Sequence, residues 1–212
     1  MTGFVRAAVL ILAFSEVAHA AAGDAAALSL RAAVIGVASD APLTITLFRW
    51  PTEAERAPLL SSLSAPPPAP APLASSAGGR AGRGGRGVPP APPSPLARLT
   101  AAVKAAPTCG FIWTNGVTGY SIKYAWQASA ADGAERIVLI TDRRLGTSAA
   151  NWAPLPGAAA DSDFTLIEMR IDGKGTGEGK ASLGTNVVVD TLAGTLALDG
   201  YASAPALLRI TR

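Results

Sequence analysis

Apolar and polar residues alternate with a period of two along most of this chain. In residues 43–50 (LTITLFRW), Leu43, Ile45 and Leu47 fall on one side and threonines on the other, the pattern of a half-buried strand. Residues 27–37 are small and apolar and predict a strand before it, joined at Asp40-Ala41-Pro42. Residues 109–127 predict a hairpin. A two-residue turn at Asn115-Gly116 sets Trp113 opposite Thr118, Phe111 opposite Tyr120 and Cys109 opposite Ile122. Tyr120, Ile122, Tyr124 and Trp126 then share the core-facing side with Cys109. A second turn at Asp132-Gly133 pairs Trp126 with Leu139 and Tyr124 with Thr141. Residues 135–142 (ERIVLITD) are apolar on both faces at their centre and read as an inner strand.

Residues 163–183 (DFTLIEMRIDGKGTGEGKASL) form a further hairpin, whose register is set by charge. With Gly173-Lys174-Gly175 as the loop, Arg170 faces Glu178 and Glu168 faces Lys180. A slip of two residues in either direction sets like charges against each other. Gly175 supplies positive φ for the turn, while Gly177 and Gly179 leave room beside Ile171 and Met169. Residues 185–190 and 194–199 predict another strand pair, and residues 204–210 close the sheet.

Helical signals cluster between the second strand and the hairpin of residues 109–127. Thr52 and Glu55 stand in capping-box spacing, and Pro58 is expected to shorten or kink the helix they begin. Ser94-Pro95 starts a second helix, with Leu96, Leu99 and Val103 on one face and Pro107 as its stop. The pattern predicts a mainly β fold: an antiparallel sandwich or barrel of about nine strands, with one or two short α-helices inserted after the second strand.

Composition divides the 212 residues. Arg6, the apolar run 7–14 and Ala18-His19-Ala20 match a secretory signal over residues 1–20. The run is shorter than the ~20 residues a membrane span needs, so a periplasmic or secreted product without a membrane span is expected. Residues 21–212 then form one β-rich domain, interrupted at about 64–94 by a Pro/Ala/Gly/Arg-rich insert with no periodicity, which reads as disordered. The net charge of +3 traces to Arg80, Arg83 and Arg86 in that insert, and the remainder is neutral. Its GGRAGRGGRG core resembles nucleic-acid-binding repeats but lacks interleaved aromatics for stacking, so a nucleic-acid partner is not expected.

Signal removal also takes His19, the only histidine, and with it a Ser-His-Asp triad, a Cys-His pair and a His-ligated metal. The single cysteine, Cys109, forms no internal disulfide and reads as a small buried hydrophobe rather than a reactive thiol. The glycine cluster fails as a P-loop, since Lys174 stands where glycine is needed and Ala181 where Ser or Thr is. It fails as a dinucleotide fingerprint because a strand follows it, and as a calcium loop because Leu183 takes the glutamate position. No catalytic residue, metal or cofactor is therefore expected.

The charged strand end Thr141-Asp142-Arg143-Arg144 is the best candidate for binding. Thr141, Asp142, Arg143 and Trp152 are the residues expected to meet a small ligand or a protein; the plainer alternative is a strand end with a salt bridge and a tryptophan plugging the core. Glu168, Arg170, Glu178 and Lys180 are assigned to holding the hairpin. FRWPTEAERAPLL, ERIVLITDRR, FTLIEMRIDGKGTGEGK and the segment around Tyr201-Ala202 resemble a group of small exported bacterial proteins of uncharacterised function. Arg144 and Ala153 depart from that group's pattern, which has proline and an acidic residue at those places. The resemblance implies export and one domain. The expected function is an exported, non-catalytic binding or structural protein; the alternative is a carboxylate-based, glycosidase-like hydrolase using Asp142 and Glu168.

Overall fold

A computed structural model describes residues 26–35, 43–64, 92–114, 118–145, 163–182, 186–204 and 206–212. The expected signal segment, most of the expected insert, the Asn115-Gly116 turn and Trp152 lie outside these. Eight antiparallel strands close into a barrel in the order β1-β10-β7-β6-β5-β4-β3-β2. They are β1 (Leu28–Val34), β2 (Leu43–Leu47), β3 (Gly110–Thr114), β4 (Thr118–Ser129), β5 (Glu135–Thr141), β6 (Leu166–Ile171), β7 (Thr176–Ala181) and β10 (Ala206–Thr211). Two pairs of elements interrupt the meander. Helices α1 (Glu53–Ser64) and α2 (Pro95–Ala105) follow β2, and a separate hairpin of β8 (Val187–Asp190) and β9 (Thr195–Leu198) follows β7.

The period-two pattern fills the barrel. Leu30, Ile45, Ile112, Tyr120, Ile122, Ile137, Leu139, Ile167, Met169, Leu208 and Ile210 point inward and pack as one core. Each such side chain contributes about 1.5–3 kcal/mol through burial. A second core lies outside the barrel wall, where Tyr124, Val138, Ile140 and Leu166 meet Leu59 of α1, Leu99 and Val103 of α2, and Leu196 and Leu198 of β9. β5 is therefore covered on both faces, as its doubly apolar sequence requires.

The helix signals hold in detail. Thr52 N–H donates to Glu55 Oε2 at 2.8 Å and Glu55 N–H to Thr52 Oγ1 at 3.3 Å, closing the capping box. A bond from Arg49 to the same carboxylate holds Glu55 down at about 2. α1 runs on through Pro58 to Ser64, so the proline neither ends nor shortens it. Ser94 Oγ accepts from Ala97 N–H and caps α2, and Arg98 Nε donates to Ser62 O at 3.0 Å, joining the two helices.

Register departs from expectation at β4. Thr114 pairs with Thr118, leaving a three-residue connection where two were expected, so Ile112 faces Tyr120 and Phe111 faces Ser121. Phe111 and Trp113 consequently swing to the outside. Gly110, not Cys109, is the partner of Ile122, although Cys109 is buried as expected and its thiol donates to Ile122 O at 3.3 Å. The β4–β5 loop is also one residue longer: Ala130 N–H bonds Ala134 O at 2.7 Å and Gly133 takes φ 81°, so Trp126 pairs with Val138 rather than Leu139. Ile122 pairs with Thr141 but Tyr124 with Ile140, which makes Lys123 the extra residue of a β-bulge. The bulge reverses the alternation. Tyr120 and Ile122 enter the barrel, while Tyr124 and Trp126 join the outer core instead of sharing their side.

Candidate functional site

Charged residues with outward positions on β5, β6 and β7 carry the densest chemistry among the described residues. Arg136 and Arg170 sit directly opposite each other on β5 and β6, an unfavourable pairing unless an anion lies between them. Glu168 is that anion. Its Oε1 accepts from Arg136 Nε at 2.9 Å and from Arg170 Nη2 at 3.3 Å, and its side chain is 0% exposed. Its Oε2 accepts from Leu198 N–H at 3.2 Å, while Tyr124 Oη accepts from Leu196 N–H at 3.4 Å. The wall thus satisfies the edge of β9 that faces away from β8. Arg136 Nη1 bonds Asp190 Oδ2 at 2.7 Å, ties β8 to the wall and holds the Asp190 carboxyl below its ordinary range.

Aromatic rings back both guanidinium groups. Arg136 lies 5.7 Å from the ring of Trp126, and Arg170 lies 3.9 Å from that of Tyr201. Lys180 donates to Tyr201 O at 3.0 Å and Ala202 O at 3.3 Å, pinning the turn that carries Tyr201. Burial, with the nearby Glu178 charge, pushes the Tyr201 phenol up to about 12.

Ala128, Arg136, Arg170 and Glu178 form one cross-strand row, and that row floors a cleft of about 860 Å³ beside the β4–β5 and β6–β7 loops. A second cleft of about 350 Å³ shares Arg136 and Arg170 and runs under Asp190, Leu198 and Tyr201. Arg136 gives Nε to Glu168 and Nη1 to Asp190. Arg170 remains 55% exposed and donates only to Glu168 among the described residues, so the rest of its fork is free in the larger cleft.

The hairpin residues have the expected register, Glu168 with Lys180 and Arg170 with Glu178. Their ion pairs do not follow that facing: Glu168 turns to Arg136 and Arg170, and Glu178 lies 3.6 Å from Lys180 on its own strand. The candidate binding cluster is used internally. Thr141 Oγ1 donates to the carbonyl of Arg143 at 2.8 Å and accepts from Thr165 N–H at 3.2 Å. Asp142 Oδ1 accepts from Ser121 N–H at 3.1 Å, and Arg143 donates to Gly119 O over the Tyr120 ring. None of these three forms an ion pair among the described residues, and Trp152 lies outside them. Asp142 and Glu168 are not brought together. Glu168 pairs with Val138, four positions down the strand from Asp142, which is roughly 13 Å at strand rise. Two carboxylates working on one glycosidic bond stand about 5–9.5 Å apart.

Sequence reasoning missed Arg136, Asp190 and Tyr201. The only signal of Arg136 and Asp190 is a charged residue in a strand beside apolar ones, as in Arg136 before Val138 and Ile140, and Tyr201 lies in the turn after β9. Compared with known protein families, curated proteins and solved structures, the chain matches none.

Proposed function

We propose that this is an exported, non-catalytic binding protein that holds a small ligand in the cleft over β4–β7. One observation carries the reading: the half-exposed guanidinium of Arg170, oriented by Glu168 beneath and Tyr201 beside it, stands on the floor of a cleft large enough for a small organic molecule. A planar fork held in this way suits a carboxylate or phosphate on the ligand. Glu178, 50% exposed in the same row, suits a cationic group beside it. Acid–base chemistry has little support here, since both oxygens of the buried Glu168 carboxylate are already occupied.

The test is NMR shift mapping of the folded chain against amino acids, small dicarboxylates and sugar phosphates. Saturable shifts confined to β5–β7 and lost in Arg170→Ala support the reading. Turnover of glycosides or esters, lost in Asp142→Asn, would establish the hydrolase alternative instead.

A further inference from the structure

The other half of the barrel is built differently. The helices and β8–β9 rest on β4, β5 and β6, while β10, β1, β2 and β3 make their extensive contacts with their barrel neighbours alone among the described residues. The sequences of these four strands contain no aspartate or glutamate. Their outward positions carry Arg31 and Arg209, both exposed and without an ion pair among the described residues. Glu178, which pairs with Arg209 across β7 and β10, lies close to Lys180 and Tyr201 instead.

The same wall carries a strip of three rings, with Arg31 in register with Trp113 and Arg209 farther off on β10. Phe48, just past β2, meets Phe111 at 5.5 Å between centroids, and Phe111 meets Trp113 at 5.2 Å. Phe48 is 51% exposed and Trp113 is 38% exposed. Trp113 covers its cross-strand partner Gly119, with ring atoms 3.0–3.4 Å from where a Cβ would stand. Arg31 pairs with Thr44 and Thr44 with Trp113, which places the cation two strands, roughly 10 Å, from the indole. The hydroxyls of Thr44 and Thr46 lie between, with no hydrogen bond among the described residues.

We propose that this open wall binds a chain of acidic polysaccharide. Pyranose rings lay their C–H faces on Phe48, Phe111 and Trp113, and carboxylates on the sugars meet Arg31 and Arg209. Four strands with cations and no carboxylate of their own favour a polyanion over a neutral glycan. Successive rings are turned by 61° and 45° from one another, which fits a twisted chain whose units rotate along its length better than a stack of parallel nucleobases. Free hydroxyls between the rings and the cations match a polyhydroxylated partner.

Affinity electrophoresis of the full chain in gels containing polygalacturonate, or dextran as a neutral control, tests this. Polygalacturonate is expected to retard the protein and dextran to leave it unmoved. Phe48→Ser and Trp113→Ala are each expected to weaken binding about tenfold, as loss of a central aromatic contact does. Arg31→Gln with Arg209→Gln is expected to weaken it several-fold and to remove most of its salt dependence. Trp113→Ala uncovers Gly119 and can disturb the strand pair, so Phe48→Ser, checked by circular dichroism, decides if that variant fails to fold. Arg170→Ala should leave retardation unchanged, which separates this surface from the cleft. The proposal is overturned by absent retardation, by equal retardation in dextran, or by tighter binding of oligothymidylate. A concentration-dependent dimer abolished by Phe48→Ser overturns it as well, since a second copy would then be the occupant.

Discussion

Arg212 meets Glu135 through two parallel hydrogen bonds, Nη1 to Oε1 and Nη2 to Oε2, each 2.8 Å long. Glu135 continues the inward series of Ile137 and Leu139, and Arg212 continues that of Leu208 and Ile210. The pair therefore closes one mouth of the barrel, while Arg143 lies over Tyr120 at the other. With side chains 43% and 16% exposed, solvent screening limits its worth. A double-mutant cycle with Arg212→Ala and Glu135→Gln is expected to give a coupling of about 0.5–1 kcal/mol by urea unfolding, most of it lost in high salt. A coupling of zero would make the closure incidental.

Glu168 holds two facing guanidiniums and the edge of β9 together. Glu168→Ala is expected to cost about 3–5 kcal/mol, because it leaves Arg136 without its buried counter-charge and Leu198 N–H without an acceptor. Hydrogen exchange should show the Leu196 and Leu198 amides opening before those of β5. Simultaneous opening throughout the barrel would refute a separately docked outer layer.

At Gly177 a Cβ would stand 2.0 Å from the backbone carbonyl oxygen of Arg170, and at Gly179 it would meet only the Leu208 and Met169 side chains at 3.2 and 3.3 Å. Backbone cannot yield as side chains do. Gly177→Ala is therefore expected to cost about 2–3 kcal/mol and Gly179→Ala about 1 kcal/mol or less in chemical denaturation. Equal costs would contradict the packing described.

Burial pushes the Cys109 thiol up to about 11. The unfolded thiol titrates near 8.5, so the stability linked to the protonated form is complete below about 8.5. It is lost as pH rises through about 11. The urea midpoint should fall across this window, and Cys109→Ala should flatten the fall. In the native protein at neutral pH the thiol should react with an aromatic disulfide only as fast as the chain unfolds.

The legible parts of the fold are those where turn chemistry and charge agree. The β6–β7 register followed from Glu168, Arg170, Glu178 and Lys180, and Gly175 at φ 83° supplies the loop conformation expected of it. The caps at Thr52 and Ser94 followed from local hydrogen-bond demand. At β4 the same reasoning missed by one residue twice, because Asn-Gly and Asp-Gly mark a turn without fixing its length. The bulge at Lys123 has no local signature, since nothing in SIKYAW separates the side of Ile122 from that of Tyr124. The candidate site was less legible still. Arg136 and Asp190 are 54 residues apart and meet only once the β8–β9 hairpin has docked. Thr141, Asp142 and Arg143 look available in sequence because their partners, Ser121, Gly119 and Thr165, are backbone groups that offer no side-chain signal.

The bulge makes the composition of the molecule depend on a count. With Lys123 present, one strand supplies floor to the barrel and roof to the helices. Were Lys123 paired as a regular residue of the ladder, Tyr124 and Trp126 would turn into an interior that is already full, and α1 and α2 would rest on small and polar side chains. Deleting Lys123 would leave Ile122 inward and Tyr124 outward on a regular ladder, so both layers depend on that one residue staying out of the pairing.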